Sequence, residues 1–252
     1  MTSQDPLFEY LLRLGDNSLI LGHRLSEWSG HAPVLEEELA LGNIALDLIG
    51  QTQLWLSLAG EVEGKGRDAD KLAFLRDAGG YRNVLLVEQP NGDFARTMTR
   101  QFFFDTWHYL LLQGLTQSTD TRIADIAGKS LKEVAYHAER SRDWVVRLGD
   151  GTEESHRRMQ RAIDDLWVYT GELFEMDEID RTLLTQGLAI DLAALRQPWS
   201  EHVGRTLEEA TLEQPKQGWA QRGGKRGVHS EHLGYLLAEM QFLQRAYPNA
   251  TW

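Results

Sequence analysis

Two long segments of this chain are apolar on nearly every side of a helix, and they limit the fold more than any other feature. In EEELALGNIALDLIGQTQLWLSLAG, residues 36–60, leucine, isoleucine, alanine and tryptophan fill most of the circumference. The segment FFFDTWHYLLL, residues 102–112, has the same character. Helices that are apolar all round lie at the centre of a bundle. The sequence therefore predicts a helical bundle with these two segments inside it.

Further helices are predicted wherever apolar residues recur with a 3.6-residue period. The clearest example is MQRAIDDLWVYTGELF, in which Met159, Ile163, Leu166 and Phe174 fall on one face. Only six prolines interrupt the chain. The helices are predicted over about 6–28, 34–60, 93–116, 120–149, 153–175, 191–212 and 230–246. The first four are expected to form a four-helix core, with the last three against its flank.

Composition excludes several classes of function. A net charge of −12 argues against binding to nucleic acid or to an anionic membrane, because both repel an acidic surface. The absence of cysteine excludes disulfides, thiolate metal sites and thiol nucleophiles. No apolar run is long enough to span a bilayer, and the segment MTSQDPLFEY does not resemble a signal peptide. We therefore expect a cytoplasmic protein.

Polar side chains interrupt both apolar segments. The first carries Asn43, Asp47 and Gln51, each four residues from the last, which places them on one face of the helix. The second carries Asp105 and His108, three residues apart. An ionised carboxylate inside a bundle costs several kcal/mol unless it is paired. We therefore expect the carboxylates to pair with histidine or arginine.

The helix predicted over 120–149 places His137 in the row of side chains that faces the core. Val134 belongs to the same row, three residues earlier. Bundles that hold two iron ions take one Glu from each of two helices and a Glu-x-x-His pair from each of the other two. Here valine occupies the glutamate position of that pair. Glu133 lies about 100° further round the helix, towards the flank.

The remaining donors do not complete such a site. Glu27 and Asp105 could each supply a single carboxylate, but no histidine stands at the required spacing from Asp47. We interpret Glu27, Asp47, Asp105, His108 and His137 as remnants of a metal site that now form a buried hydrogen-bonded cluster. No catalytic residue, metal or cofactor is predicted. The alternative is a working metal site of unusual composition.

Five stretches of the chain together resemble the C subunits of bacterial phenylacetyl-CoA epoxidases, a family of multicomponent monooxygenases. The resemblance extends from about residue 8 to the C-terminus. The stretches are LGDNSLILGHRLSEWSGHAP, ELALGNIALDLIGQ, LLVEQPNGDFARTMTRQFFFDTWHY, LKEVAYHAERSRDWVVRLGDGTEES and GGKRGVHSEHLGYLLAEMQFLQR.

This resemblance implies an all-α fold, with a ferritin-like four-helix bundle core and additional C-terminal helices in a single domain over residues 1–252. It also implies a structural, non-catalytic role in a hetero-oligomeric complex. The expected partners are the A subunit, which carries the di-iron centre and binds the acyl-CoA, and a small B subunit. A reductase delivers electrons from NADPH in that family, and the pathway is phenylacetate degradation. The rival hypothesis is a ferritin-like metal-dependent oxidase or monooxygenase.

The loop QRGGKRGVHSEH, residues 221–232, places Arg222, Lys225 and Arg226 among glycines in an otherwise acidic protein. It has three interpretations. It is a solvated loop before a helix capped by Ser230, a contact with a partner protein, or an anion site for the phosphates of coenzyme A at a helix N-terminus. The sequence leaves all three open.

Overall fold

A computed structural model describes residues 5–216 and 218–248. Every regular element in these residues is helical and no β-strand occurs among them, so the predicted all-α fold is confirmed. No helix in the described residues is long and apolar enough to cross a membrane. The α-helices are α1 (Pro6–Ser26), α2 (Leu35–Glu63), α3 (Ala69–Phe74), α4 (Phe94–Leu115), α5 (Thr121–Gly149), α6 (Glu153–Trp167), α7 (Glu178–Thr185), α8 (Arg196–Glu209), α9 (Glu231–Met240) and α10 (Phe242–Ala246).

The long helices lie close to their predicted positions, but three of the predicted helices differ from the structure. The helix predicted over 153–175 ends at Trp167, and Gly171 begins a separate 3-10 turn. A Cβ at Gly171 would lie 2.6 Å from the Cβ of Ala220, so the chain needs glycine there. Helix α8 begins only at Arg196, with Pro198 in its first turn, where the missing N–H costs no hydrogen bond. The last predicted helix is divided into α9 and α10, and the short helices α3 and α7 were not predicted.

The chain divides into two compact units. The first contains residues 1–90 and 223–252, and the second contains residues 91–222. The single domain expected from the sequence stays a prediction.

The first unit is built on a hairpin of α1 and α2. Asp5 caps α1 by accepting a hydrogen bond from the backbone N–H of Leu7. The two helices approach closely at Gly15, where an added Cβ would lie 2.6 Å from a methyl group of Leu56. Helix α1 is buried along nearly its whole length.

One face of α2 is exposed, contrary to the prediction that this helix lies entirely inside the bundle. Leu35, Leu39 and Leu46 are 68%, 60% and 70% exposed, and Ile49 is 38% exposed. Their spacings of four, seven and three residues place them on one side of the helix. A Cβ added at Gly42, in the same row, would meet nothing within 4 Å. We call Leu35, Leu39, Leu46 and Ile49 the α2 stripe.

The second unit is built on the pair α4 and α5, against which α6 and α8 pack. Helix α4 is buried along most of its length, as predicted. An aromatic cluster joins it to the later helices: the indole N–H of Trp199 donates to the carbonyl of Phe103 at 2.9 Å, and the ring of Trp167 lies 5.5 Å from that of Phe103. These contacts hold α4 in a fixed rotation, with Asp105 and His108 facing the interior.

Candidate functional site

The second unit brings together three of the residues singled out in the sequence. Asp105 and His108 lie on α4 and His137 lies on α5, and all three are buried. Burial raises the pKa of Asp105 to about 6, although His137 and Ser141 favour its ionised form. Burial, together with the neighbouring His137, lowers the pKa of His108 to about 3. His108 is therefore neutral at pH 7, and Asp105 is held near its titration point.

Asp105 and His108 do not satisfy all of their polar atoms within the described residues. The amide of Gln101 donates to Oδ1 of Asp105 across 3.5 Å, which is a long contact. Among the described residues, Oδ2 of Asp105 and Nδ1 of His108 have no hydrogen-bond partner. The ring of His108 instead packs 5.1 Å from that of Phe104. Asp105 does interact electrostatically with His137, as expected for a buried carboxylate beside a histidine.

The donors in this cluster do not fit a di-iron centre. Val134, one turn before His137, is fully buried and supplies an apolar surface where a glutamate oxygen is required. In the part of the chain that the structure describes, no three or more histidine or carboxylate side chains are grouped so that they could hold a metal ion. The residues present therefore lack the ligands that two iron ions need.

Glu27 and Asp47 belong to the first unit. Glu27 lies just after the last turn of α1, with its side chain 37% exposed and 2.8 Å from the guanidinium of Arg24. Asp47 is half-buried on α2, Asn43 is exposed and Gln51 is buried. The expectation that these polar residues of α2 all lie in the core is therefore wrong for Asn43. The role of Glu27 and Asp47 as remnants of a metal site stays an interpretation.

The basic loop of residues 221–232 owes its glycines to close packing. A Cβ at Gly224 would lie 2.0 Å from the carbonyl oxygen of Asn83, and one at Gly227 would lie 2.3 Å from that of Gly79. Gly227 also has a φ of 76°, which favours glycine. The backbone of the first unit therefore closes on itself at this loop, and only glycine permits the approach.

The three basic side chains of the loop differ in their surroundings. Arg222, in the second unit, lies 3.0 Å from the carboxylate of Glu175. In the first unit, Arg226 is exposed and Lys225 is half-buried. Ser230 occupies the position before α9 but makes no side-chain cap, contrary to expectation. The partner contact and the phosphate site both stay predictions.

Sequence reasoning missed a buried carboxylate at Glu88. Its Oε1 accepts the backbone N–H of Ser230 at 2.6 Å, and its Oε2 lies 2.9 Å from the amide of Asn83 and 2.8 Å from Nδ1 of His229. The carbonyl of Glu88 also accepts two N–H groups of Arg24. No local signal marks this residue, because Glu88 begins the segment EQPNGD, whose proline and glycine predict a surface linker.

These features define an all-α class of protein, consistent with a ferritin-like helical bundle, whose described residues contain no group of three or more histidine or carboxylate side chains placed to hold a metal ion. A family model described as phenylacetic acid catabolic protein matches residues 1–252. The chain belongs to that family.

A curated relative gives a finer comparison. The chain is 52% identical over 248 residues to the C subunit of the 1,2-phenylacetyl-CoA epoxidase of Escherichia coli (strain K12). The alignment covers 98% of this chain and 100% of the relative. The resemblance inferred from the sequence is confirmed, and with it the similarity to one component of a multi-subunit epoxidase.

Proposed function

We propose that this chain is a non-catalytic, structural subunit of a phenylacetyl-CoA epoxidase complex, in which it pairs with the catalytic A subunit. The observation that carries the proposal is the incomplete donor set around His137, combined with similarity to an epoxidase C subunit over almost the whole chain. A chain without the ligands for two metals needs another chain to bind the iron that activates oxygen.

The non-catalytic role is supported by the chemistry of the buried cluster. Val134 leaves His137 without the glutamate that brings a histidine and a carboxylate to the same pair of metals. Burial keeps His108 neutral, and Asp105 interacts with His137 and Ser141 on α5. These groups fix the packing of α4 against α5.

The α2 stripe supports the pairing. Leu35, Leu39, Leu46 and Ile49 follow the alternating spacing of a helix seam, and Gly42 completes the row without a protruding side chain. Such a surface accepts the ridge of another helix at close range. Large aliphatic side chains gathered on one exposed face mark a protein contact. We assign this face to a helix of the A subunit, with basic residues facing Glu36 and Glu38 at the start of α2.

The role in the complex is thermodynamic. A protein that binds only the folded form of its partner stabilises that partner by RT ln(1 + [L]/Kd). This chain therefore keeps the A subunit folded and correctly positioned, while the A subunit binds the acyl-CoA and the iron. The small B subunit is the third member of the complex.

Co-expression tests the proposal. The chain and the A subunit of the same organism are produced together, purified through a tag on one of them, and measured by size-exclusion chromatography with light scattering. We expect a stable complex and acyl-CoA epoxidation by the reconstituted system, with the A subunit less stable and less active when this chain is omitted. Full activity and stability of the A subunit alone would contradict the proposal.

One observation favours the rival function, a metal-dependent oxidase. The buried cluster leaves Oδ2 of Asp105 and Nδ1 of His108 without hydrogen-bond partners among the described residues. Such atoms, close to the second histidine His137, are the kind of ligand that a site for a single metal ion would use. Metal analysis separates the two functions.

A further inference from the structure

An apolar groove with a basic end lies on the second unit, between α4, α5 and α8. Its volume is about 480 Å³. This is within the range of about 300–1,000 Å³ that small-molecule sites occupy. The residues that line it are Thr106, Tyr109, Leu110, Ala135, Ala138, Glu139, Arg142, Pro198, His202 and Arg205.

The walls of the groove are suited to an apolar body. Tyr109 and Leu110 come from α4 and Pro198 comes from the first turn of α8. Ala135 and Ala138 on α5 leave the floor open because neither side chain extends beyond a methyl group. The space that a larger residue at either position would fill is therefore available to a ring or a short hydrocarbon chain.

One end of the groove is basic. His202 stands beside Arg142 and Arg205, and burial together with these two charges lowers its pKa. Arg142 pairs with Asp143 at 3.1 Å and also with Glu209. Arg205 is exposed and, within residues 5–216 and 218–248, has no carboxylate at ion-pair distance. Its guanidinium is thus available to an anion, in a protein whose net charge is −12.

We propose that this groove binds a small monocarboxylate whose apolar body is about the size of one aromatic ring. The ring lies on Ala135 and Ala138, and the carboxylate meets Arg205 and the N–H of His202. Glu139, an exposed carboxylate at the edge of the groove, disfavours a second negative charge on the ligand. The site lies within the second unit, whereas the α2 stripe belongs to the first.

Isothermal titration of the full chain with 3-phenylpropanoate at low ionic strength tests the proposal. Two matched probes test the ring and the carboxylate separately. 3-Phenylpropanamide keeps the ring without the charge, and acetate keeps the charge without the ring. We expect saturable binding of 3-phenylpropanoate, with the amide weaker by about tenfold because it loses a charge-assisted hydrogen bond. Acetate should show no saturable binding.

Variants locate the site. Arg205→Gln, at an exposed position, should weaken binding of 3-phenylpropanoate by about tenfold, and Ala138→Leu should abolish it by filling the floor. Arg181→Gln, an exposed arginine in the same unit but outside the groove, is the control and should leave binding unchanged. Circular dichroism checks that each variant is folded. Absence of saturable binding up to about 10 mM, equal binding of acid and amide, or unchanged binding in Arg205→Gln would overturn the proposal.

Discussion

Nδ1 of His229 lies 2.8 Å from Oε2 of Glu88, and this contact joins the start of α9 to a segment 141 residues earlier. The same carboxylate accepts the backbone N–H of Ser230, and the carbonyl of Glu88 binds Arg24 on α1. One buried acid therefore fixes three parts of the first unit. Removal of the carboxylate should lower global stability, because Asn83, His229 and the N–H of Ser230 would lose a buried partner.

Glu88→Gln keeps the shape of the side chain but removes its charge. We expect the free energy of unfolding to fall by about 2–4 kcal/mol, because Ser230, Asn83 and His229 lose a charged acceptor. Urea unfolding followed by circular dichroism measures the change. Glu175→Gln, which weakens a solvent-accessible pair with Arg222, is the control and should cost less than about 1 kcal/mol. Equal losses in the two variants would show that Glu88 is not a structural centre.

Gly224→Ala should also destabilise the chain strongly. The added methyl group would stand 2.0 Å from the carbonyl oxygen of Asn83, so the backbone must move, and we expect a loss of about 2 kcal/mol or more. Gly128→Ala is the matched control. Gly128 lies within α5 with open space around its Cβ position, so this change should stabilise the helix by about 0.5–1 kcal/mol. Thermal unfolding of both variants decides whether the glycines of the loop are required by packing.

Leu46→Glu should abolish the complex with the A subunit without unfolding the chain. Leu46 is 70% exposed, so the free chain tolerates a charge there, whereas a helix packed on the α2 stripe would bury it. Co-purification and sizing measure the effect, with an expected loss of affinity of at least about a hundredfold. Leu75→Glu is the control, since Leu75 is 52% exposed and lies outside the stripe. A complex that survives Leu46→Glu would remove the stripe from the interface.

Asp105→Asn should stabilise the chain, and more so at higher pH. Burial raises the pKa of Asp105 from 3.8 to about 6, so the folded chain binds more protons than the unfolded chain between these values. Stability contributed by this group therefore falls as the pH rises from about 4 to 6, and the full penalty is present above pH 6. We expect a gain of about 1–3 kcal/mol at pH 8, exceeding the gain at pH 5 by about 1 kcal/mol. A variant less stable than the original chain at pH 8 would show that the ionised carboxylate is favourably paired.

Iron should not accumulate in this chain. After expression with added iron, metal analysis of the purified protein should give far less than one iron per chain, because Val134 removes a required ligand. His137→Ala should leave that low content unchanged. Stoichiometric iron that disappears in His137→Ala would instead support the oxidase function.

The sequence predicted the long helices well because periodicity and capping are local. Asp93 and Asp120 cap α4 and α5 close to the predicted starts, and the inward row of Val134 and His137 on α5 is buried as expected. The apolar segment of α2 was misinterpreted because a helix with one exposed apolar face and a helix buried on all sides can have the same composition. Only the packing of α1 against one side of α2 shows that the α2 stripe stays exposed.

The polar network around Glu88 could not be predicted for a different reason. Its partners Arg24, His229 and Ser230 are 64, 141 and 142 residues away in the sequence, and no spacing rule connects residues that meet only through tertiary folding. The groove between α4, α5 and α8 was missed in the same way, since Ala138 and Arg205 are each unremarkable on their own helices.

The first unit is discontinuous along the chain, since it needs residues 223–252 as well as residues 1–90. A ribosome therefore releases the whole of residues 91–222 before the glycine loop and His229 can reach Glu88. During that interval residues 91–222 are complete and free to fold. The α1–α2 hairpin still lacks residues 223–252, which belong to the same compact unit. Truncation after residue 222 should consequently destabilise the α1–α2 hairpin, although that hairpin is synthesised well before the missing segment.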